Sequence, residues 1–155
     1  MRRVVLLCAL AALLAACGSG APPEVTFAAG ATSVVAKPTQ YCDVKLQDCQ
    51  SDANAPVRLA VPAGTALKVT VPEEISSTPW QVVFSYRSAN GSRTDGRSPV
   101  LTPDQHPDYT LQLPAATDAL VTAQVQQYGA PPQANAATGE LEFPIRATWV
   151  LNTAG

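Results

Sequence analysis

The amino-acid sequence predicts an all-β protein, and three features point to that fold class. Short runs rich in Val, Thr and Leu alternate between apolar and polar residues, as strands with one buried face do. Fourteen prolines separate most of these runs, which suits many short strands joined by turns. No window of about 15 residues carries the apolar stripe of a helix. We therefore expect about seven to nine strands packed as a β-sandwich.

The candidate strands follow one another along the chain with little space between them. Runs 24–29 and 32–36 flank Gly30 and are interpreted as one long edge strand kinked by a bulge. Run 119–127 fits helical and alternating spacing equally well, and its neighbours favour a strand. The remaining candidates are 57–61, 67–71, 80–86, 98–102 (a weak pattern), 109–113 and 143–151. Residues 80–86 form the most aromatic run, whose heavy face, beginning at Trp80, should lie in the core.

The N-terminus has the pattern of an export signal. Arg2 and Arg3 precede an apolar run at 4–16 that is shorter than the roughly 20 residues of a membrane-spanning helix. The run ends in Leu-Leu-Ala-Ala-Cys17, which resembles a bacterial lipobox, where the cysteine sulfur receives a diacylglycerol and becomes the new N-terminus. This predicts a signal peptide at 1–16, lipidation at Cys17, a tether at 17–23 and a sandwich domain at 24–155. The alternative is an ordinary secretory signal in which Cys17 is incidental.

Charge and composition limit the classes of partner that the protein is expected to bind. Cleavage after residue 16 would remove Arg2 and Arg3, so Lys+Arg would fall from 10 to 8 against 12 Asp+Glu, a formal charge of −4. No run of Lys and Arg remains in the linear sequence, which argues against nucleic acid or anionic lipid headgroups as the main partner. The expected partners are therefore the membrane, through the lipid anchor, and an envelope protein, glycan or lipid.

Cys42 and Cys49 are expected to form a disulfide. They are the only thiols left once Cys8 is cleaved away and Cys17 is lipidated, and an exported chain meets an oxidising environment. Seven residue steps span roughly 23 Å in a strand, whereas disulfide α-carbons lie about 5.5 Å apart. The chain must then reverse around 44–47. A redox or metal pair is the alternative, but it lacks Cys-x-x-Cys spacing and a nearby histidine.

Catalytic and metal-binding patterns are weak. His106, the sole histidine, lies in a proline-studded loop with Asp104 and Asp108, where a solvated side chain is the ordinary case. Glu73 and Glu74 are loop neighbours and suit solvated charge better than a glycosidase pair. A blue-copper site needs two histidines and usually a methionine, which the mature chain lacks. We expect no catalytic residue, no metal and no cofactor, and we expect that the protein is not an enzyme.

The order of runs 57–61, 67–71 and 80–86 resembles the A′, B and C strands of an immunoglobulin-like domain. Trp80 would occupy the place of the tryptophan that such domains bury, although their inter-sheet cysteine pair is absent. A copper-free cupredoxin-like sandwich is the alternative, because Val-Pro-Ala-Gly-Thr at 61–65 is also common there. The immunoglobulin-like order is the preferred prediction.

A broader resemblance is carried by the lipobox, the cysteine pair and three short runs. These runs are Leu-Ala-Val-Pro-Ala-Gly at 59–64, Val-Pro-Glu-Glu-Ile at 71–75 and Pro-Trp at 79–80. Together they resemble an uncharacterised family, a domain of unknown function, of actinobacterial secreted lipoproteins. The resemblance implies an extracytoplasmic location at the cell membrane and a fold shared with that family. It implies no catalytic residues.

One end of the predicted sandwich is the candidate binding surface. Alternate loops of such a fold collect at the same end, so 72–79 and 129–142 should meet there if 98–102 is a strand. The rim residues would be Glu73, Glu74, Ile75, Tyr128, Gln133 and Asn135. Loops as long as 129–142 without secondary structure are often functional, although a tolerated insertion explains this one equally well. The expected function is non-enzymatic binding, and the alternatives are a cell-wall-polymer hydrolase and a purely structural envelope protein.

Overall fold

The computed structural model describes residues 20–103 and 107–153. The predicted signal peptide, the lipidation site Cys17, and the loop residues Asp104 and His106 lie outside these ranges. Within them the chain forms thirteen strands and one short helix. These are β1 Val25–Ala29, β2 Thr32–Ala36, β3 Gln40–Cys42, β4 Cys49–Ser51, β5 Val57–Leu59, β6 Leu67–Thr70, α1 Glu73–Ser76, β7 Trp80–Arg87, β8 Arg93–Arg97, β9 Asp108–Leu111, β10 Ala119–Tyr128, β11 Gln133–Ala134, β12 Leu141–Glu142 and β13 Ile145–Thr153.

Two packed sheets make up the body of the molecule. The first has the strand order β2-β1-β6-β9, and all its pairings are antiparallel. The second has the order β4-β3-β13-β10-β7-β8, and β5 runs parallel to β13 beside it. A separate two-stranded ladder joins β11 to β12. The all-β prediction is confirmed, and the arrangement is sandwich-like.

The core lies between the two sheets, where the alternating residues of facing strands meet. Phe27 and Val69 enter it from the first sheet, and Val125 and Trp149 enter it from the second. All four side chains are fully buried. The aromatic strand β7 also faces inward as expected, although its heavy face becomes more exposed from Trp80 towards Tyr86. Period-2 patterning therefore predicted the buried faces well.

The first two strands differ from the prediction. β1 and β2 form an antiparallel hairpin with Ala29 opposite Thr32, so the single kinked strand was wrong. Gly30 has a φ of 59°, which a residue without a Cβ adopts at little cost in a two-residue hairpin turn. The sequence pattern on either side of a glycine does not distinguish a bulge from a turn.

The two predicted strands at 57–61 and 67–71 belong to different sheets. β5 joins the second sheet beside β13, whereas β6 joins the first sheet between β1 and β9. The connection turns at Gly64, which has a φ of 78°, and Thr65 N–H donates to the Pro62 carbonyl at 3.0 Å. The turn thus carries the chain from one layer to the other.

A further strand, β8, lies in the stretch where only 98–102 seemed extended. Its sequence is Arg-Thr-Asp-Gly-Arg, which has no apolar alternation because the strand is at the edge of the second sheet. Gly96 lets β8 approach β7, since a Cβ there would come within 2.6 Å of Cζ of Phe84. Residues 98–102 form no strand of their own, but Leu101 makes an isolated bridge to Trp80 at the start of β7.

A disulfide joins Cys42 and Cys49, whose α-carbons lie 3.9 Å apart at the end of the β3–β4 pair. The chain reverses between them, and Asp43 and Asp48 are linked by a backbone hydrogen bond of 3.0 Å. Leu46, with a φ of 58°, completes the turn. The expected reversal around 44–47 is thus present.

Replacing both Cys42 and Cys49 with alanine should lower the free energy of unfolding by about 2.5 kcal/mol, because the cross-link no longer restricts the unfolded chain. Urea unfolding of the two proteins measures the difference, and reduction of the unaltered protein should reproduce it. Mass spectrometry without reduction should find neither thiol open to alkylation. Equal stabilities, or free alkylation of both thiols in native protein, would contradict the role of the cross-link.

Candidate functional site

An apolar groove lies at one end of the second sheet. It encloses about 460 Å³, within the roughly 300–1,000 Å³ usual for ligand pockets. Its lining is almost wholly apolar and comes from β10, from the segment before β7, from the segment after β8, and from the chain on either side of the β11–β12 ladder. The residues that shape it are Pro79, Val100, Tyr128, Pro131, Pro132 and Phe143.

Tyr128 is the best-anchored wall of the groove. It ends β10 where the ladder with β13 shifts register between Gln127 and Tyr128, a bulge of the kind that redirects a side chain. Its N–H donates to the Pro79 carbonyl at 2.9 Å. The Tyr128 ring packs against Phe143, with centroids 5.4 Å apart and planes tilted by 53°.

Gly129 brings the chain close to β13 just after Tyr128. Its N–H donates to the Pro144 carbonyl at 3.1 Å. A Cβ at this position would lie 2.7 Å from Cβ of Arg146 and 2.9 Å from Cδ2 of Leu46, so only glycine fits without movement. This close approach fixes how the 129–142 segment leaves the sheet.

The 129–142 segment is more ordered than the sequence suggested. Its short β11–β12 ladder is closed by a turn that Asn135 organises, because its Oδ1 accepts from the N–H groups of Ala137 and Thr138 at 2.8 and 3.1 Å. The Asn135 side-chain amide also donates to Glu142. The prediction of a loop without structure was therefore wrong: local side-chain hydrogen bonds fold it into a hairpin.

Segments 72–79 and 129–142 both line the groove, through Thr78 and Pro79 and through Gly129 to Pro132. The Gln127 side-chain amide reaches the first segment, donating to the Glu74 carbonyl at 2.9 Å and to Thr78 Oγ1 at 3.0 Å. Its Oε1 is buried without a hydrogen-bond partner. Gln127 thus ties β10 to the segment that bears Pro79 at the groove.

The predicted rim residues have different positions in the structure. Ile75 is fully buried, because residues 73–76 form a helical turn that directs it into the core and leaves Glu73 and Glu74 exposed. Ile75 is therefore not part of an accessible rim. Tyr128 lines the groove, whereas Gln133 and Asn135 lie in the adjoining hairpin. A binding role for the residues other than Ile75 stays a prediction.

Sequence reasoning missed the apolar wall of the groove. The predicted last strand began at Phe143, but this residue precedes β13 and remains 44% exposed. Val100, which also lines the groove, is 38% exposed and lies outside the strands. The available signal was that large apolar residues flank proline-rich loops, where no core could cover them.

The outer face of the second sheet continues from the groove as a polar surface. Nε2 of Gln81 donates to Oε1 of Gln126 at 3.1 Å, and Nη2 of Arg93 donates to Oγ of Ser85 at 2.9 Å. A smaller cavity of about 270 Å³ lies on this face. Among its lining residues are Arg93, Asp95, Arg97, Thr122 and Gln124.

Comparison with protein-family models identifies the family of the chain. A family model described as "Protein of unknown function (DUF2771)" matches residues 19–154. The chain belongs to the DUF2771 family. Neither a search of curated proteins nor one of solved structures gives a match.

Electrostatics of the DUF2771 groove centre on Tyr128 and Arg97. Burial raises the pKa of the Tyr128 hydroxyl, and the positive charge of Arg97 offsets part of that rise. The hydroxyl therefore keeps its proton at neutral pH.

The described part of this DUF2771 protein holds neither a metal-type cluster nor a membrane-spanning helix. Over 20–103 and 107–153, no three His, Cys, Asp or Glu side chains come together as a metal site. Over the same ranges, no helix has the length and apolar character needed to cross a membrane.

Proposed function

We propose that this DUF2771 protein is a lipid-anchored protein of the extracytoplasmic membrane face that acts as a non-enzymatic binding module of the cell envelope. The anchoring part rests on the Leu-Ala-Ala-Cys17 pattern and on the resemblance to actinobacterial secreted lipoproteins. The binding part rests on one observation, the preformed apolar groove bounded by Tyr128 and Phe143.

The groove supports binding because its apolar wall is exposed on a rigid base. Phe143 and Val100 line the groove and present apolar side chains to solvent, and exposed apolar surface of this kind marks interaction sites. Tyr128 is held by β10 and by its hydrogen bond to Pro79, so the wall is formed before a ligand arrives. Little conformational entropy is then lost on binding.

An immunoglobulin-like arrangement is part of the proposal. It is supported by the parallel pairing of β5 with β13, by the place of β6 in the opposite sheet, and by the buried Trp80 at the start of β7. These are the relationships that the A′, B and C strands would have. Loops at one end of such a domain commonly carry binding sites, and the groove lies among them.

Capture from the protein's own membranes tests the binding role. Chemical cross-linking of the full-length tagged chain should recover a protein, glycan or lipid whose yield falls at least tenfold for Phe143→Ser, because that change removes an exposed groove wall. Val35→Ser, on β2 of the other sheet and 53% exposed, is the matched control and should leave the yield unchanged. Equal recovery with Phe143→Ser in folded protein would contradict the groove as the binding site.

A further inference from the structure

The strand register joins the groove to a row of arginines on the outer face of the second sheet. Ala123 and Val125 of β10 point into the core, so Gln124 and Gln126 between and after them point outward. Residues directly opposite on neighbouring strands share a face. The outward rows are Gln126 with Gln81, Gln124 with Val83 and Arg97, Ser85 with Asp95, and Arg87 with Arg93.

Tyr128 lies two residues beyond Gln126 along the same strand, at the groove end of this face. Rows are two residues apart, so the row of Arg97 is about 13 Å along the strands from Tyr128. Val100, at the groove, follows Arg97 by three residues on the neighbouring edge of the sheet. The apolar groove and the positively charged end of this face at Arg97 therefore lie on one surface. The distance between them is about the length of a medium alkyl chain.

The arginine-rich end of this face carries a net positive charge, although the whole chain has a negative formal charge. Three guanidinium groups, those of Arg87, Arg93 and Arg97, share the outward face with one carboxylate, that of Asp95. The Asp95 carboxylate lies 3.9 Å from Arg93 and both side chains are largely exposed, so this pair is weak. Among the described residues Arg97 makes no ion pair within 4.0 Å. Guanidinium groups so placed suit a phosphate or carboxylate.

The groove end favours a hydrocarbon chain over a peptide or a sugar. Peptide backbone and sugar hydroxyls need hydrogen-bond partners when they leave water, and the lining offers few of these. An alkyl chain needs none. The volume of about 460 Å³ is that of a site for one small molecule rather than of a protein interface.

We propose that this surface binds a single amphiphile, with its apolar chain in the groove between Tyr128 and Phe143 and its anionic headgroup at Arg97 and Arg93. The inference rests on the proposed binding function and names the chemical class of the ligand. Arg93 and Arg97 stand four residues apart on β8, and the pairing of β7 with β8 places Arg87 opposite Arg93 on the same face.

Alkyl phosphates of increasing length, kept below their critical micelle concentrations, test this proposal. They are titrated into the full chain carrying Cys17→Ala, so that no attached lipid competes. Affinity should rise about fourfold for each added methylene until the groove is filled. Arg97→Gln should weaken alkyl phosphate binding about tenfold and leave a neutral alkyl glucoside of equal length unaffected. Phe143→Ser should flatten the dependence on chain length, and Val35→Ser should change neither.

Several results would overturn the proposal, provided that the variants unfold at the same temperature as the parent. These are no binding of alkyl phosphates, affinity independent of chain length, equal affinity for the neutral glucoside, or no effect of Arg97→Gln. Self-association that Phe143→Ser abolishes, without amphiphile binding, would assign the groove to a second copy. If amphiphiles fail but membranes still yield a Phe143-dependent partner, only this inference falls. If both fail, the proposed binding function falls as well.

Discussion

Replacing Trp149 with alanine is expected to lower the free energy of unfolding by about 3–5 kcal/mol. Trp149 is fully buried in the middle of β13, opposite Val125, so the change leaves a cavity that the paired strands cannot close. Its indole N–H also donates to the Pro23 carbonyl at 2.9 Å, and that acceptor would lose its partner. Because small proteins are stable by about 5–15 kcal/mol, urea unfolding should show a large loss.

Two controls separate the causes of this loss. Trp149→Phe keeps most of the apolar bulk but removes the hydrogen bond to Pro23, so a smaller loss of about 1–3 kcal/mol is expected. Phe143→Ala removes an exposed ring and should change the free energy of unfolding by less than about 1 kcal/mol. A Trp149→Ala effect no larger than that of Phe143→Ala would contradict the position of Trp149 in the core.

Replacing Cys17 with alanine is expected to move the whole protein from the membrane fraction to the aqueous phase. Each buried methylene of an acyl chain contributes about 0.8 kcal/mol to anchoring, and two chains hold a protein stably, so losing the attachment atom removes the anchor. Detergent-phase partitioning measures the change, and mass spectrometry of the parent should show the added diacylglycerol. Cys49→Ala, which alters only the disulfide, should remain in the membrane fraction. An unchanged membrane fraction and an unshifted mass would contradict lipidation.

Local alternation was sufficient to predict the buried faces of the longest strands. Val125 and Trp149 follow the period-2 pattern because one face of each strand packs against the opposite sheet. β8 escaped prediction because an edge strand with the sequence Arg-Thr-Asp-Gly-Arg has no apolar face to reveal it. Ile75 was misplaced because a single helical turn is too short to leave a periodic pattern.

Strand partners could not be derived in the same way. The choice between a hairpin and a kinked strand at Gly30 depends on whether Ala29 pairs with Thr32, and both sides of the glycine look alike in sequence. The pairing of β5 with β13 joins residues nearly one hundred positions apart. Such contacts depend on which surfaces are complementary after the sheets form, and they cannot be predicted from the residues that neighbour each strand in the sequence.

The candidate site was only partly predictable. Tyr128 was selected because it precedes a long proline-containing loop. The prediction that this loop meets 72–79 assumed a strand at 98–102, whereas the strand in that stretch is β8. The Phe143 wall was not selected, because a large apolar residue beside a strand pattern is ordinarily assigned to the core. Only the β11–β12 hairpin and the close approach at Gly129 leave Phe143 beside Tyr128 and open to solvent.

By itself the sequence determined the features that depend on neighbouring residues. These are the all-β class, the buried faces of the main strands, and the chain reversal that lets Cys42 meet Cys49. The export and lipid-anchor pattern at Cys17 is equally local and stays a prediction. Tertiary structure alone decided the strand order, the groove, and the gathering of Arg87, Arg93 and Arg97 on one face. The physical reason is that strand pairing decides which residues of a β-sheet share a face, and the local residue pattern determines neither the partner of a strand nor its register.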